Sequence, residues 1–158
     1  MPSQRPSNFR IYRANRDNTG SATEWQLSYK PNKEYDPYEM FLVAAKQIGT
    51  DDDGNGRFDW KETKMTVKLG DADLGEIISV LERRKEFVGT KGSLFHQTPN
   101  GGNKVVDFRA VDNGYSLRVS AQNDKKEKVG DIRQTLSHAD ASILLVLLKR
   151  AVERFYNW

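Results

Sequence analysis

The stretch Asp51 to Glu62, DDDGNGRFDWKE, spaces its oxygen-bearing side chains as a calcium loop does. Asp51, Asp53 and Asn55 fall on ligand positions one, three and five of the EF-hand pattern. Gly56 takes the sharp turn, Arg57 offers a carbonyl, Asp59 sits at nine and Glu62 takes the bidentate position at twelve. The same residues also suit an acidic β-hairpin tip in which Asn55-Gly56 supplies positive φ. A second chemistry is open to the aromatic and basic residues. Binding a single nucleic-acid strand needs cations for phosphates and ring faces for bases, the latter worth about 1–3 kcal/mol per base. Trp25 and Tyr29 lie two strand steps apart on one face, followed by Lys30 and Lys33. Lys64, Thr66 and Lys68 lie opposite the core face of their strand, as do Arg118, Ser120 and Gln122 on theirs. Phe41, Lys46, Phe58 and Trp60 could line the same surface. The structural alternative for Trp25, Tyr29 and Trp60 is a place in the core, since two packed sheets need large inward residues.

Other chemistries have little to work with. The chain has no cysteine, which removes disulfides, thiolate metal sites and cysteine catalysis. His96 and His138 are its two imidazoles, far apart in sequence. There is no phosphate-binding glycine loop and no nucleophile elbow, and TPNGG at 98–102 lacks the Lys-Ser/Thr of a P-loop. Ser137 is better placed to cap a helix than to attack a substrate. The residues therefore predict a protein that is not an enzyme and needs no cofactor.

Composition sets the frame. The chain has 158 residues, 37% hydrophobic and 30% charged, enough for one domain with a core. No apolar run approaches the roughly 18 residues of a membrane span, and MPSQRPSNFR has no apolar signal region. The expectation is an intracellular protein without a membrane partner. A net charge of +3 permits a polyanion partner, provided the cations cluster on one face.

Periodicity supplies the elements that must position these residues. Phe9 to Ala14 and Thr23 to Lys30 alternate as strands do. Met40 to Ile48 reads either as a buried strand or as the entering helix of an EF-hand. Lys64 to Leu69 alternates strictly, with Met65, Val67 and Leu69 inward, where an EF-hand would need its exiting helix. Leu74, Ile77, Ile78 and Leu81 then form a helical stripe, capped by Asp71 or Asp73, before the charged run Glu82 to Glu86. Further strands are predicted at Ser93 to Thr98, Asn103 to Ala110, Tyr115 to Gln122 and Gly130 to Thr135, with Asn113-Gly114 turning the middle pair. A last helix starts near Ser137, with Asp140 completing a capping box. Its wide apolar stripe, Ile143 to Phe155, predicts burial in the core or against another subunit. The pattern is four strands and a helix, twice over.

That doubled pattern, with several short strings on it, resembles the Whirly family of single-stranded-DNA-binding proteins of plant organelles. The same superfamily includes the guide-RNA-binding proteins of kinetoplastid mitochondria and the transcription factor called positive cofactor four. Phe58-Asp59-Trp60 is similar to the family's Tyr-Asp-Trp, and KMTVKLGDADLGEIISVL at 64–81 to its strand entering a Thr-Glu-Leu-Gly helix. Phe95-His96 resembles Phe-Phe-His, and Ser120-Ala121-Gln122-Asn123 resembles Ser-Val-Gln-Asn. The closing helix ends on Trp158, much as the family's ends on Gly-Trp. The strings run in the same order across nearly the whole chain from Phe9. Where plant members carry Lys-Gly-Lys-Ala-Ala-Leu, this chain reads Thr19 to Trp25, TGSATEW, which weakens any implication of large assemblies. It also opens without a long transit segment, as a bacterial, phage or processed organellar protein would.

The resemblance implies an α+β fold: two four-stranded antiparallel sheets packed at a steep angle, each half ββββα, backed by two helices. It implies a disordered N-terminal tail at 1–8 and a single Whirly-like nucleic-acid-binding domain at 9–158. Its partner would be single-stranded DNA, with RNA as the alternative, bound with little sequence specificity. The assembly would be a homotetramer through the C-terminal helix. DDDGNG would then be a hairpin tip, with Asp59 and Trp60 opening the fourth strand and Glu62 pointing along it. The implied binding residues are Trp25, Tyr29, Lys30, Phe41, Lys46, Phe58, Trp60, Lys64, Thr66, Lys68, Arg118 and Gln122. The competing calcium module would use Asp51, Asp53, Asn55 and Glu62.

Overall fold

The computed structural model describes residues 7–158. Residues 1–6, most of the expected tail, lie outside the described residues, while Ser7 and Asn8 pair in the first strand opposite Leu27 and Gln26. The first sheet runs β1 (Ser7–Arg13), β2 (Ser21–Tyr29), β3 (Tyr38–Thr50), all antiparallel. Met40 to Ile48 is thus strand, embedded in a strand of 13 residues. Both β4 (Gly56–Phe58) and β5 (Met65–Leu69) pair along the far edge of β3. They are two pieces of one fourth strand.

Asp59 explains the break. Its carboxylate accepts the backbone N–H groups of Lys61, Glu62 and Thr63 together with the Thr63 hydroxyl. A short acidic side chain that captures the following N–H groups competes with the ladder for the backbone. Asp59 and Trp60 therefore do not open a strand, and Glu62 lies in the turn. This corrects the expectation drawn from the resemblance.

The second sheet is a regular meander of β6 (Ser93–Gln97), β7 (Asn103–Val111), β8 (Gly114–Gln122) and β9 (Lys128–Leu136). Asp112 and Asn113 tip its central hairpin, and Gly114 pairs with Val111 at φ +148°, where a side chain would be strained. The architecture is α+β, with two antiparallel sheets and two helices. Helix α1 (Asp71–Leu81) buries its predicted stripe of Leu74, Ile77, Ile78 and Leu81. Its N-cap is Gly70, whose N–H is accepted by the Asp73 carboxylate at 2.9 Å. Helix α2 (His138–Phe155) has the predicted box: the Asp140 N–H meets the Ser137 hydroxyl at 3.1 Å, and Asp140 accepts the Ser137 N–H at 2.9 Å. Its wide stripe divides in two. Ala141, Leu144, Leu148 and Ala151 are buried in the chain's own core, while Ile143, Val146 and Leu147 face outward.

The sheets share one core, built on Trp25, Leu42, Val67, Phe108, Leu117 and Val119. A buried polar link crosses it. The Gln134 carbonyl oxygen on β9 accepts the Thr23 hydroxyl of β2 at 2.6 Å, and its amide donates to the Ile11 carbonyl of β1 at 2.9 Å. The Ser21 hydroxyl donates to the Arg133 carbonyl at 2.7 Å. Replacing Gln134 by alanine leaves the Thr23 hydroxyl and the Ile11 carbonyl buried without partners. Urea unfolding of Gln134→Ala is expected to show a loss of about 1–3 kcal/mol per orphaned group.

Candidate nucleic-acid interface

The solvent face of the first sheet is set by register. Asn8, Gln26, Phe41 and Lys68 form one cross-strand row, and Arg10, Glu24, Val43 and Thr66 the next. Trp60, thrown out of the sheet by the Asp59 turn, folds back over this face. The Arg10 guanidinium lies 4.9 Å from the centre of its ring and pairs with Glu24 at 2.5 Å. Phe58 packs against Tyr12 with ring centres 5.6 Å apart, and Tyr12 is about half exposed. The face thus combines aromatic rings with a stacked guanidinium. Arg10 and Tyr12 escaped the sequence reading, although their phase, opposite the inward Phe9 and Ile11, was available to find them.

At the end of the same face, Glu39 is buried to 6% exposure and gathers three lysines. Lys30 reaches one carboxylate oxygen at 2.6 Å; Lys68 and Lys33 share the other at 2.9 and 3.4 Å. The ammonium groups of Lys30 and Lys68 against it outweigh the cost of burial and hold the Glu39 carboxyl at about 2. Glu39 is an addition to the residues read from the sequence, which already placed Lys33 beside Lys30.

The remaining candidates scatter. Trp25 is 1% exposed and belongs to the core, because its phase on β2 faces the second sheet; it offers no ring to a base. Tyr29 shares that phase but lies beyond the core's end, half exposed, its ring 5.0 Å from that of Tyr38. Lys46 is exposed at the opposite end of the inward phase, paired with Ser21. Lys64 is exposed and precedes β5. Thr66 lies outward in its row, and its carbonyl accepts the Lys104 ammonium at 2.6 Å. Arg118 and Gln122 occupy the outer face of the other sheet. The candidates therefore fall on two surfaces, not one.

On that second surface Asp131 holds Arg118 through two hydrogen bonds at 2.9 and 2.8 Å. The pairing lowers the Asp131 carboxyl to about 2 and raises the Arg118 guanidinium. Asn103 donates to Gln122 at 3.3 Å. Phe95, 60% exposed, stands opposite Val105, and Arg109, Ser116, Arg118 and Arg133 line a shallow hollow beside Asp107. Phe95 entered the sequence reading only as part of a family string; its exposure depends on which face of β6 meets the core.

The acidic loop closes on itself. Asp51 accepts the N–H groups of Asp53 at 3.0 Å and Asn55 at 2.8 Å, and Gly54, not Gly56, takes the positive φ of +83°. The chain enters β4 within the loop, forms β5 where an EF-hand would need its exiting helix, and has the Glu62 N–H bound to Asp59. Among the described residues, no group of three or more His, Asp or Glu side chains could hold a metal ion. The loop is a hairpin tip.

No family model and no curated protein matches the chain by sequence. Solved structures do match in three dimensions. The plant transcriptional regulator PBF-2 aligns with a TM-score of 0.70 at 18% identity, over 98% of this chain and 85% of that one. WHY1 from Arabidopsis thaliana aligns at 0.69 and 16% identity, over 97% and 86%. This is the Whirly fold. A guide-RNA-binding protein complex, solved bound to a guide RNA, shares it with a TM-score of 0.61 at 15% identity, over 95% and 92%. In this chain the fourth strand is split, and the split delivers Trp60 to the outer face.

The Glu39 cluster has a pH signature. Its carboxyl is lowered from 4.5 to about 2 on folding, so its contribution is complete above pH 4.5 and fades as pH falls towards 2. Urea unfolding of the natural protein against Glu39→Gln should show a stability gap that is constant above pH 4.5 and shrinks on acidification to pH 2. A gap independent of pH in that window would sink the assignment.

Proposed function

We propose that the protein binds single-stranded nucleic acid, chiefly single-stranded DNA, with little sequence specificity, and serves DNA protection, recombination, repair or transcription. The observation that carries this reading is the outer face of the first sheet. Lysine ammonium groups flank a surface bearing Phe41, Tyr12 and the Arg10–Trp60 stack. Cations beside ring faces suit a strand whose phosphates are neutralised and whose bases stack without being read. The second sheet offers an exposed ring, Phe95, and a separate hollow lined by Arg109, Arg118 and Arg133. The shared fold lends support, since one relative in shape is a transcriptional regulator and another was solved with a guide RNA. The latter also favours RNA as the second reading. The proposal is of binding without catalysis.

Four copies are proposed to assemble through α2, whose outward Ile143, Val146 and Leu147 are 51%, 67% and 42% exposed in the single chain. A contiguous apolar strip of this kind suits burial against a copy of itself. Sedimentation of Val146→Glu should give a smaller species than the unsubstituted protein.

Binding is tested by fluorescence anisotropy of a labelled strand of ~30 nucleotides, a few site sizes long. The expected result is affinity that falls steeply with salt, resists duplex competitor and ignores calcium. Phe95→Ala removes an exposed ring and should weaken binding by about 1–3 kcal/mol without changing stability. No single-strand binding at low salt would overturn the reading.

A further inference from the structure

Glu39 sits where a carboxylate is expensive. At 6% exposure, an unpaired charge there would be strongly disfavoured. One lysine would suffice to neutralise it, yet three converge: Lys30 and Lys33 from the loop between β2 and β3, and Lys68 from β5. One negative charge thus organises three positive ones, and the cluster keeps an excess of cation. Each ammonium has three donors, and the lysine side chains remain 44–58% exposed. Unused donors therefore face solvent. Free lysines carry large rotamer entropy, which a ligand must overcome when it orders them. Here the buried carboxylate has already ordered them.

We propose that Lys30, Lys33 and Lys68 form one backbone-phosphate site, with Glu39 as its positioning residue. This rests on the reading of the protein as a single-strand binder. The two possible roles of Glu39 predict opposite signs. If the carboxylate only competes with phosphate for the lysines, removing its charge tightens binding. If it positions them, removing it weakens binding even though the protein gains a positive charge.

The experiment measures anisotropy of a labelled ~30-nucleotide oligothymidine against salt, using the full chain. Glu39→Gln is expected to bind about tenfold more weakly, the cost of ordering one or two lysines on binding, with the natural salt slope. Glu39→Asp keeps the charge and should recover part of the loss. The triple variant Lys30→Gln, Lys33→Gln, Lys68→Gln should lower the log–log salt slope by about 2, three contacts at roughly 0.7 each. Tighter or unchanged binding by Glu39→Gln, or an unchanged slope in the lysine variant, overturns the proposal. Should Glu39→Gln fail to fold by circular dichroism, the lysine variant decides alone. Failure of the unsubstituted protein to bind the strand is a different result, and it rejects the single-strand reading itself.

Discussion

The two halves of the chain are joined by an amide. Gln134 gives its oxygen to Thr23 and its nitrogen to the Ile11 carbonyl, all three buried. Apolar packing would hold the sheets together but would let them slide. A buried polar pair tolerates only the arrangement in which every donor meets its acceptor. With that link made, the apolar phase of each strand turns to the other sheet and the opposite phase is left for solvent. Phe41, Lys68 and Arg10 face out on the first sheet for the same reason that Trp25, Leu42 and Val67 face in. The binding surfaces are what remains after the core has taken its share.

Acidic side chains then shape those surfaces, each by a different route. Glu39 collects lysines from the loop between β2 and β3 and from β5. Asp131 straightens Arg118 with two parallel hydrogen bonds and also holds Lys128 at 3.0 Å. Asp59 acts on backbone: by taking N–H groups from residues 61–63 it ends β4 and turns Trp60 back over the sheet. A protein of small net charge can therefore present basic faces, because its carboxylates lie beneath and between the cations.

Much of the architecture was legible in the sequence. Strict alternation at 64–69 marked β5, the stripe Leu74, Ile77, Ile78 and Leu81 marked the buried face of α1, and Ser137 with Asp140 marked the start of α2. What was not legible had a common cause. Period two says which residues share a face but not which face meets the core, so Trp25 read equally well as a core residue and as a base-stacking one. The split of the fourth strand depended on a local competition that Asp59 wins, which alternation alone does not register. Glu39 was overlooked because an isolated Glu in an apolar strand carries no pattern; its importance comes from Lys30 and Lys33 of the preceding loop and from Lys68, 29 residues on, which the fold brings together on it. The acidic loop matched a calcium pattern at nearly every position, but Asp51 and Asp59 spend their carboxylates on backbone N–H groups of the loop and the turn after it, and no exiting helix follows.

The divided fourth strand has a further consequence, for how copies of this chain behave at high concentration. A long uninterrupted edge strand exposes a row of unpaired backbone groups on which another chain can continue the sheet. Here the outermost strands beyond β3 are three and five residues long, with an acidic tip before the first and a polar turn between them. An arriving strand would find no straight template longer than β5. The interruption that brings Trp60 onto the outer face also guards this edge of the sheet against unwanted polymerisation.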